Sequence, residues 1–189
     1  MSAADVALGG PAWLADAVAE VAPGSLGDDA AAMALAVGLA RRNVEAGTGG
    51  PFGAVVVDGE GRLLGAGVNV VVAASASLAH AEVMALLRAQ AAVGAPRLLG
   101  AAPSPVALVT SAQPCVMCFG ALFWAGLDVL VVGARTEDVE RLAGFDEGPV
   151  PPDWRALLAA HGVQTRVDVL RDEAAAVLGA YGSGRGTRY

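Results

Sequence analysis

Two short segments constrain what this chain can fold into: His80-Ala81-Glu82 and Pro114-Cys115-Val116-Met117-Cys118. Together they supply three good metal ligands and a carboxylate that need not be one. Any fold the chain adopts has to bring them to one point. The chain holds only two cysteines and two histidines. Both cysteines and one histidine fall in these segments, and a site built from scarce residue types is more often chemical than structural. Structural zinc almost always takes four protein ligands, whereas catalytic zinc usually takes three and a water. The sequence therefore predicts one Zn2+ per chain, held by His80, Cys115 and Cys118 with water in the fourth position.

Pro114 sits where helices like to begin, which predicts a helix running through Cys118 and stopping near Gly126. Cys115 and Cys118, three apart, share a face of its first turn. There the free N–H groups and the helix dipole favour thiolates. Expected Zn–S distances are about 2.3 Å and Zn–N about 2.0–2.1 Å. Two thiolates and a neutral imidazole balance the metal charge, and zinc lowers the pKa of its water toward neutrality. Glu82 is two residues past His80, and side chains two apart on a helix diverge. It is better placed to shuttle protons than to chelate. In isolation, Cys-x-x-Cys also fits a redox pair or half of a four-ligand zinc, and His-x-Glu says almost nothing. The conjunction carries the reading.

Charge narrows the partners. The twelve basic residues, all arginine, stand against 19 acidic ones for a formal net charge of −7. Nucleic-acid binding draws most of its affinity from neutralised phosphates, and no basic run is present; Arg41-Arg42 is the one basic doublet. A small aminated base fits better than a polyanion. Two cysteines three apart do not form a disulfide framework, and thiols kept for metal suit a reducing compartment. The start Met1-Ser2-Ala3-Ala4-Asp5 lacks a basic secretory beginning. The uncharged stretch Leu98 to Leu127 is long enough to span a bilayer but is interrupted by Pro103, Pro105 and Pro114. These features predict a cytoplasmic protein that engages neither membrane nor nucleic acid.

At 189 residues and 55% hydrophobic, the chain suits one well-filled domain. Residues 1–27 read as an N-terminal extension with a short helix from Trp13 to Val21, residues 28–181 as the domain, and 182–189 as a tail. Asp28 or Asp29 caps a helix running to about Ala46. A hairpin follows, with strands Phe52 to Asp58 and Arg62 to Val72. Then come a helix from Ala79 to Val93 holding His80 and Glu82 in its first turn, a strand from Pro105 to Thr110, the Cys-bearing helix, and a strand from Leu127 to Gly133. A Thr-capped helix from Thr136 to Leu142 leads into a loop, Ala143 to Asp153. Helix Trp154 to His161, strand Gln164 to Leu170 and helix Asp172 to Tyr181 complete the order. Alternating strands and helices indicate the α/β class: a three-layer α/β/α sandwich with a mixed sheet of about five strands.

With these residues in place, the chain resembles the cytidine deaminase-like superfamily, whose zinc nucleobase deaminases carry this H-x-E and P-C-x-x-C pattern with the Glu as general acid/base. More narrowly, it is similar to the bacterial guanine deaminases of that fold. The narrower likeness rests on Gly49 to Ala54, on Asn69 in Gly67-Val68-Asn69, on His80 to Val83, on Ser111 to Ala121 with Trp124 beyond, and on Gly144-Phe145-Asp146-Glu147. It covers roughly residues 30 to 165. The resemblance implies a cytidine deaminase-like fold, a homodimer, and hydrolysis of guanine to xanthine and ammonia. It implies catalytic roles for Glu82 and Glu147, and a substrate contact from the Asn69 amide. It also implies packing of Phe52 on the base, a contact from the Ala81 backbone N–H, and a tail, through Tyr181 or Tyr189, that closes over the site. The family usually has Glu before Pro-Cys; Gln113 here removes a charge near the metal and alters the pKa of bound water.

Each carried-over residue also has a purely structural explanation. Asn69 can end a strand, Glu147 can be a solvated loop acid, and Phe52 can be core only. Trp124 suits an interface or core, and His161 before Gly162 suits a helix C-cap. Competing functions are deamination of cytosine, a nucleoside, a pterin or an aminotriazine. A tRNA adenosine deaminase and a non-catalytic zinc-stabilised module are the remaining alternatives.

Overall fold

The computed structural model of the chain describes residues 9–184 and residue 187. The opening Met1–Asp5 segment and half of the tail, Tyr189 included, lie outside the described residues. The strands are β1 (Gly53–Val57), β2 (Leu63–Val68), β3 (Ala107–Ala112), β4 (Val129–Ala134) and β5 (Gln164–Arg166). They form one sheet in the order β2-β1-β3-β4-β5, antiparallel as far as β3 and parallel from there to β5. The helices are α1 (Trp13–Ala19), α2 (Asp29–Glu45), α3 (Val71–Ala74), α4 (Ala81–Val93) and α5 (Val116–Ala125). After them come α6 (Thr136–Asp138), running on as a π-helical turn Val139–Ala143, then α7 (Trp154–Ala160) and α8 (Arg171–Ser183).

The strands read as continuous apolar runs because helices cover both faces. Val55, Val57, Val109 and Val131 point to one layer, where Met33 and Val37 of α2 meet Val177 and Leu178 of α8. Ala54, Val56, Leu108 and Leu130 point to the other, against Ala85 and Ala89 of α4, Leu122 of α5 and Leu158 of α7. This is the expected three-layer sandwich. Among the described residues, no helix is long and apolar enough to cross a membrane. α1 packs too: Leu14 is buried, Trp13 Nε1 donates to Thr48 Oγ1 at 3.2 Å, and Arg42 lies over the Trp13 ring.

One contact sets where α4 begins. Its small face, Ala81, Ala85 and Ala89, is fully buried, and β2 answers with Gly65 and Gly67. A Cβ at Gly67 would collide with the Ala81 carbonyl and the Ala85 amide, and one at Gly65 with the Ala85 carbonyl and the Ala89 amide. Helix backbone thus lies directly on strand backbone. That seat holds the first turn of α4, with its His and Glu, against the end of β2.

Four expectations need correction. The second strand stops at Val68 rather than Val72, because Asn69 Oδ1 accepts from the Val71 N–H at 3.3 Å and turns the chain into α3. His80 is not in the first turn of α4 but is its N-cap, with extended backbone. Cys115 is likewise the N-cap of α5. Thr136 does not cap its helix: Arg135 is the N-cap, its backbone N–H bonds the Asp138 carboxylate at 3.1 Å, and the helix widens into a π turn. Asp138 also binds Arg171 Nε at 2.7 Å and Arg141 Nη2 at 3.0 Å, fastening the π turn to α8. Chiefly through Arg171, these bonds hold its carboxyl down to about 2.

Two outcomes test this packing. Gly67→Ala is expected to lower stability by about 1–3 kcal/mol or more, because the clash is with helix backbone; a denaturant midpoint equal to wild type would contradict it. Asp138 has a lowered folded-state pKa, so its contribution is present above the ordinary carboxyl value of 3.8 and is lost as pH falls toward about 2. Asp138→Asn should be less stable than wild type at pH 7, and the gap in urea midpoint should close across that acid window.

Candidate active site

The sheet gathers the site at one end. β1 and β3 run antiparallel with Ala54 opposite Thr110, so Phe52 at the start of β1 lies beside the end of β3. β2 pairs Val68 with Gly53, which brings Asn69 to the same end. β3 and β4 run parallel and finish together, Ala112 opposite Ala134. The segments leaving β3 and β4 therefore begin there: Gln113 to Cys118, and the turn that leads to Glu147. The Gln113 N–H bonds the Ala134 carbonyl at 2.8 Å, fixing the chain just before Pro114.

His80, Cys115 and Cys118 come together here, their ligand atoms all within 4.8 Å of one another. His80 Nδ1 lies 3.6 Å from Cys115 Sγ. A tetrahedral ion with Zn–S about 2.3 Å and Zn–N about 2.0 Å separates N and S by about 3.6 Å, so the pair already has zinc spacing. Nδ1 is the ring nitrogen that faces the sulfurs. The two thiols interact with each other. The Cys118 thiol donates to Cys115, which is lowered to about 4 with help from His80 and the Cys118 N–H. Cys118 is raised, by that same bond, by burial and by Glu82. Burial disfavours charge on His80, but Cys115, Glu82 and Glu147 outweigh it and raise its pKa.

A cavity of about 280 Å³ opens beside the ligands, lined by Phe52, Val71, Ser77, His80, Glu82, Gln113, Phe145, Asp146 and Glu147. Glu82 and Glu147 are 6% and 8% exposed. Neither has an arginine partner among the described residues, unlike buried Asp58 and Asp138. Burial raises Glu82 to about 7, with the Cys115 charge next in effect. It raises Glu147 to about 8, helped by Cys115 and Glu82. Buried acids without a base are tolerated when they neutralise or face a metal, and a cation at the three ligands pulls both values down. The donor set and its surroundings fit zinc.

The expected site residues are placed as follows. Phe52 is half-buried and meets the Phe145 ring edge-on at 5.2 Å, serving core and cavity together. Ala81 is fully buried between His80 and Glu82 and opens α4, so its N–H has no partner within the helix. Asn69 does satisfy backbone groups, yet its Nδ2 is buried without a partner among the described residues. An unmet buried donor costs roughly 1–3 kcal/mol. Glu147 is buried rather than solvated, and its carbonyl accepts from the Val116 N–H of α5 at 3.0 Å. His161 Nδ1 lies 2.9 Å from the Leu157 carbonyl at the end of α7, a capping arrangement. Trp124 is 80% exposed, so it is not core.

Sequence reasoning missed Asn43. It is fully buried on α2, and its Nδ2 donates to the Gly50 and Asn69 carbonyls, each at 2.8 Å. Thr48 Oγ1 closes on Asn43 Oδ1 at 2.7 Å. The available signal was a lone amide on the apolar side of a helix. Val71 and Ser77 on the cavity wall carried no signal: Val71 was read as the end of a strand, and Ser77 falls in a stretch given no element.

The family of the cytidine and deoxycytidylate deaminase zinc-binding region matches residues 26–134. The chain belongs to this deaminase family. The matched span holds Glu82 and all three ligands, which form its zinc site. The guanine deaminase of Bacillus subtilis is 41% identical over 112 residues, 59% of this chain and 67% of that protein. The solved structure of guanine deaminase from Nitrosomonas europaea superposes with a TM-score of 0.89 at 41% identity, covering 96% of this chain and 98% of that one. The tRNA(Ile)-lysidine synthase of Deinococcus deserti is 36% identical over 144 residues, but the chain spans only 26% of its length.

Metal analysis should find about one zinc per chain, most of it lost in Cys118→Ala and His80→Ala. Because ligands must be deprotonated and the cation also favours ionised Glu82 and Glu147, whose values burial raises, loading the apo-protein at pH 7 should release more than one proton. Zinc affinity should therefore weaken as pH falls. A wild-type chain without metal would refute the site.

Proposed function

We propose that this deaminase hydrolyses guanine to xanthine and ammonia in a cytoplasmic setting. The main support is that Glu82, buried and not a ligand, shares one small cavity with the zinc triad. The choice of guanine draws on the Bacillus and Nitrosomonas relatives, whose names carry that substrate. The absence of any basic run speaks against a tRNA substrate.

Zinc, when bound, acidifies a water molecule and so supplies the nucleophile at neutral pH. Glu82 would take one proton from that water and deliver it to the ring nitrogen as the C–O bond forms. It would then take the proton of the new hydroxyl and pass it to the amine as the C–N bond breaks, leaving the carbonyl and releasing ammonia. Glu147 assists the departing amine and recognises the ring edge. Asn69 offers its unmet Nδ2 to a ring acceptor, the Ala81 N–H meets the substrate carbonyl, and Phe52 packs on the base. Residues 28–181 form the catalytic domain, with 1–27 an extension and 182–189 a tail. Trp124 and Val116, 80% and 39% exposed on α5, are covered in a homodimer.

An ammonia-release screen across guanine, cytosine, adenine, their nucleosides and aminotriazines tests the substrate; turnover of another ring without guanine would overturn it. Glu82→Gln is expected to lose about 10²–10⁴-fold in kcat while keeping its zinc. Wild-type turnover in that variant would remove Glu82 from its role.

A further inference from the structure

The aromatic wall of the cavity continues into the last helix. Phe145 meets Phe52 with planes 62° apart, and also stacks on Tyr181 of α8, centroids 5.8 Å and planes 25° apart. Both Phe145 and Tyr181 are buried. Asp146 and Glu147, which follow Phe145 directly, line the cavity. Backbone contact joins the same two segments: a Cβ at Gly182 would collide with the Leu142 carbonyl, just before the loop. The Tyr181 hydroxyl points away from the stack and donates to the Thr187 carbonyl at 2.6 Å.

The stretch from Gly144 to Val150 has no helix or strand of its own, and Gly144 and Gly148 are both left-handed. Such a segment holds a carboxylate in place only if its side chains are held. One end is tied by the Glu147 carbonyl to the Val116 N–H. The other is tied by the ring of Phe145, which meets both Phe52 and Tyr181.

We propose that Tyr181 is a positioning residue: its ring fixes Phe145 and so sets Phe52 and Glu147 on the cavity wall. This rests on the reading that those two residues face the base. The hydroxyl bond to Thr187 is separable from the ring, so two variants divide the roles. Tyr181→Phe keeps the ring, and Tyr181→Leu keeps apolar bulk without it.

Steady-state kinetics with guanine and hydrogen-exchange mass spectrometry on the zinc-loaded protein test the inference. In Tyr181→Leu, kcat/KM should fall about tenfold, the worth of one aromatic pair, through a higher KM as Phe52 loosens and a lower kcat as Glu147 does. Exchange in the 144–150 segment and at the Val116 amide should quicken about tenfold, while β3 and α2 exchange as in wild type. Tyr181→Phe should match wild type in both measurements. Unchanged exchange in the leucine variant, faster exchange throughout the protein, or equal losses in both variants would overturn the assignment. A wild-type protein inactive on every base would defeat the guanine reading instead, and the exchange result would still decide the role of Tyr181.

Discussion

Two helix N-termini aimed at one point are the constraint on which the rest of this protein depends. His80 caps α4 and Cys115 caps α5, while Cys118 and Glu82 lie in the first turns behind them. Cap positions have extended backbone, so the side chain there projects past the helix end instead of along its flank. Two such ends side by side at one end of the sheet give three ligand atoms a common focus, with helix N–H groups behind the thiols. The seat of α4 on Gly65 and Gly67 fixes one end. The bond from Gln113 to Ala134 and the length of β3 fix the other.

The change of strand direction at β3 does the remaining collecting. Since β1 and β2 form a hairpin beside β3, the start of β1 and the end of β2 fall at the same edge as the ends of β3 and β4. Side chains from four distant parts of the sequence thereby line one cavity without any long loop reaching across. Ligands in open α/β sheets bind at such places, where strand direction or order reverses.

The ligand set was legible because it was compositional: two cysteines and one histidine at family spacing leave little else to do. The five strands were legible because runs such as Val55-Val56-Val57 admit few other readings. What stayed hidden was set by contacts between distant residues. Val70-Val71-Val72 is β-branched and reads as strand, yet the Asn69 side chain turns it into helix. Whether His80 lies inside its helix or caps it is a matter of one ψ angle. The π turn depends on Asp138 finding Arg171 thirty-three residues away. Asn43 looks like any polar residue on α2 until the carbonyls of Gly50 and Asn69 are brought to it.

The buried polar groups show where stability has been given up. Asp58 and Asp138 are buried but paired with arginine, away from the cavity. Among the described residues, Glu82, Glu147 and the Asn69 amide are buried at the cavity end without such partners. Two acids that burial pushes toward neutrality stand beside the thiols, with a buried donor unpartnered among the described residues, all within one end of the sheet. Each of these costs free energy that the apolar layers on either face must offset. Zinc reverses the sign of most of it at once, because its charge favours both thiolates and both carboxylates. The same ion that supplies the chemistry therefore offsets part of the cost of burying these groups together.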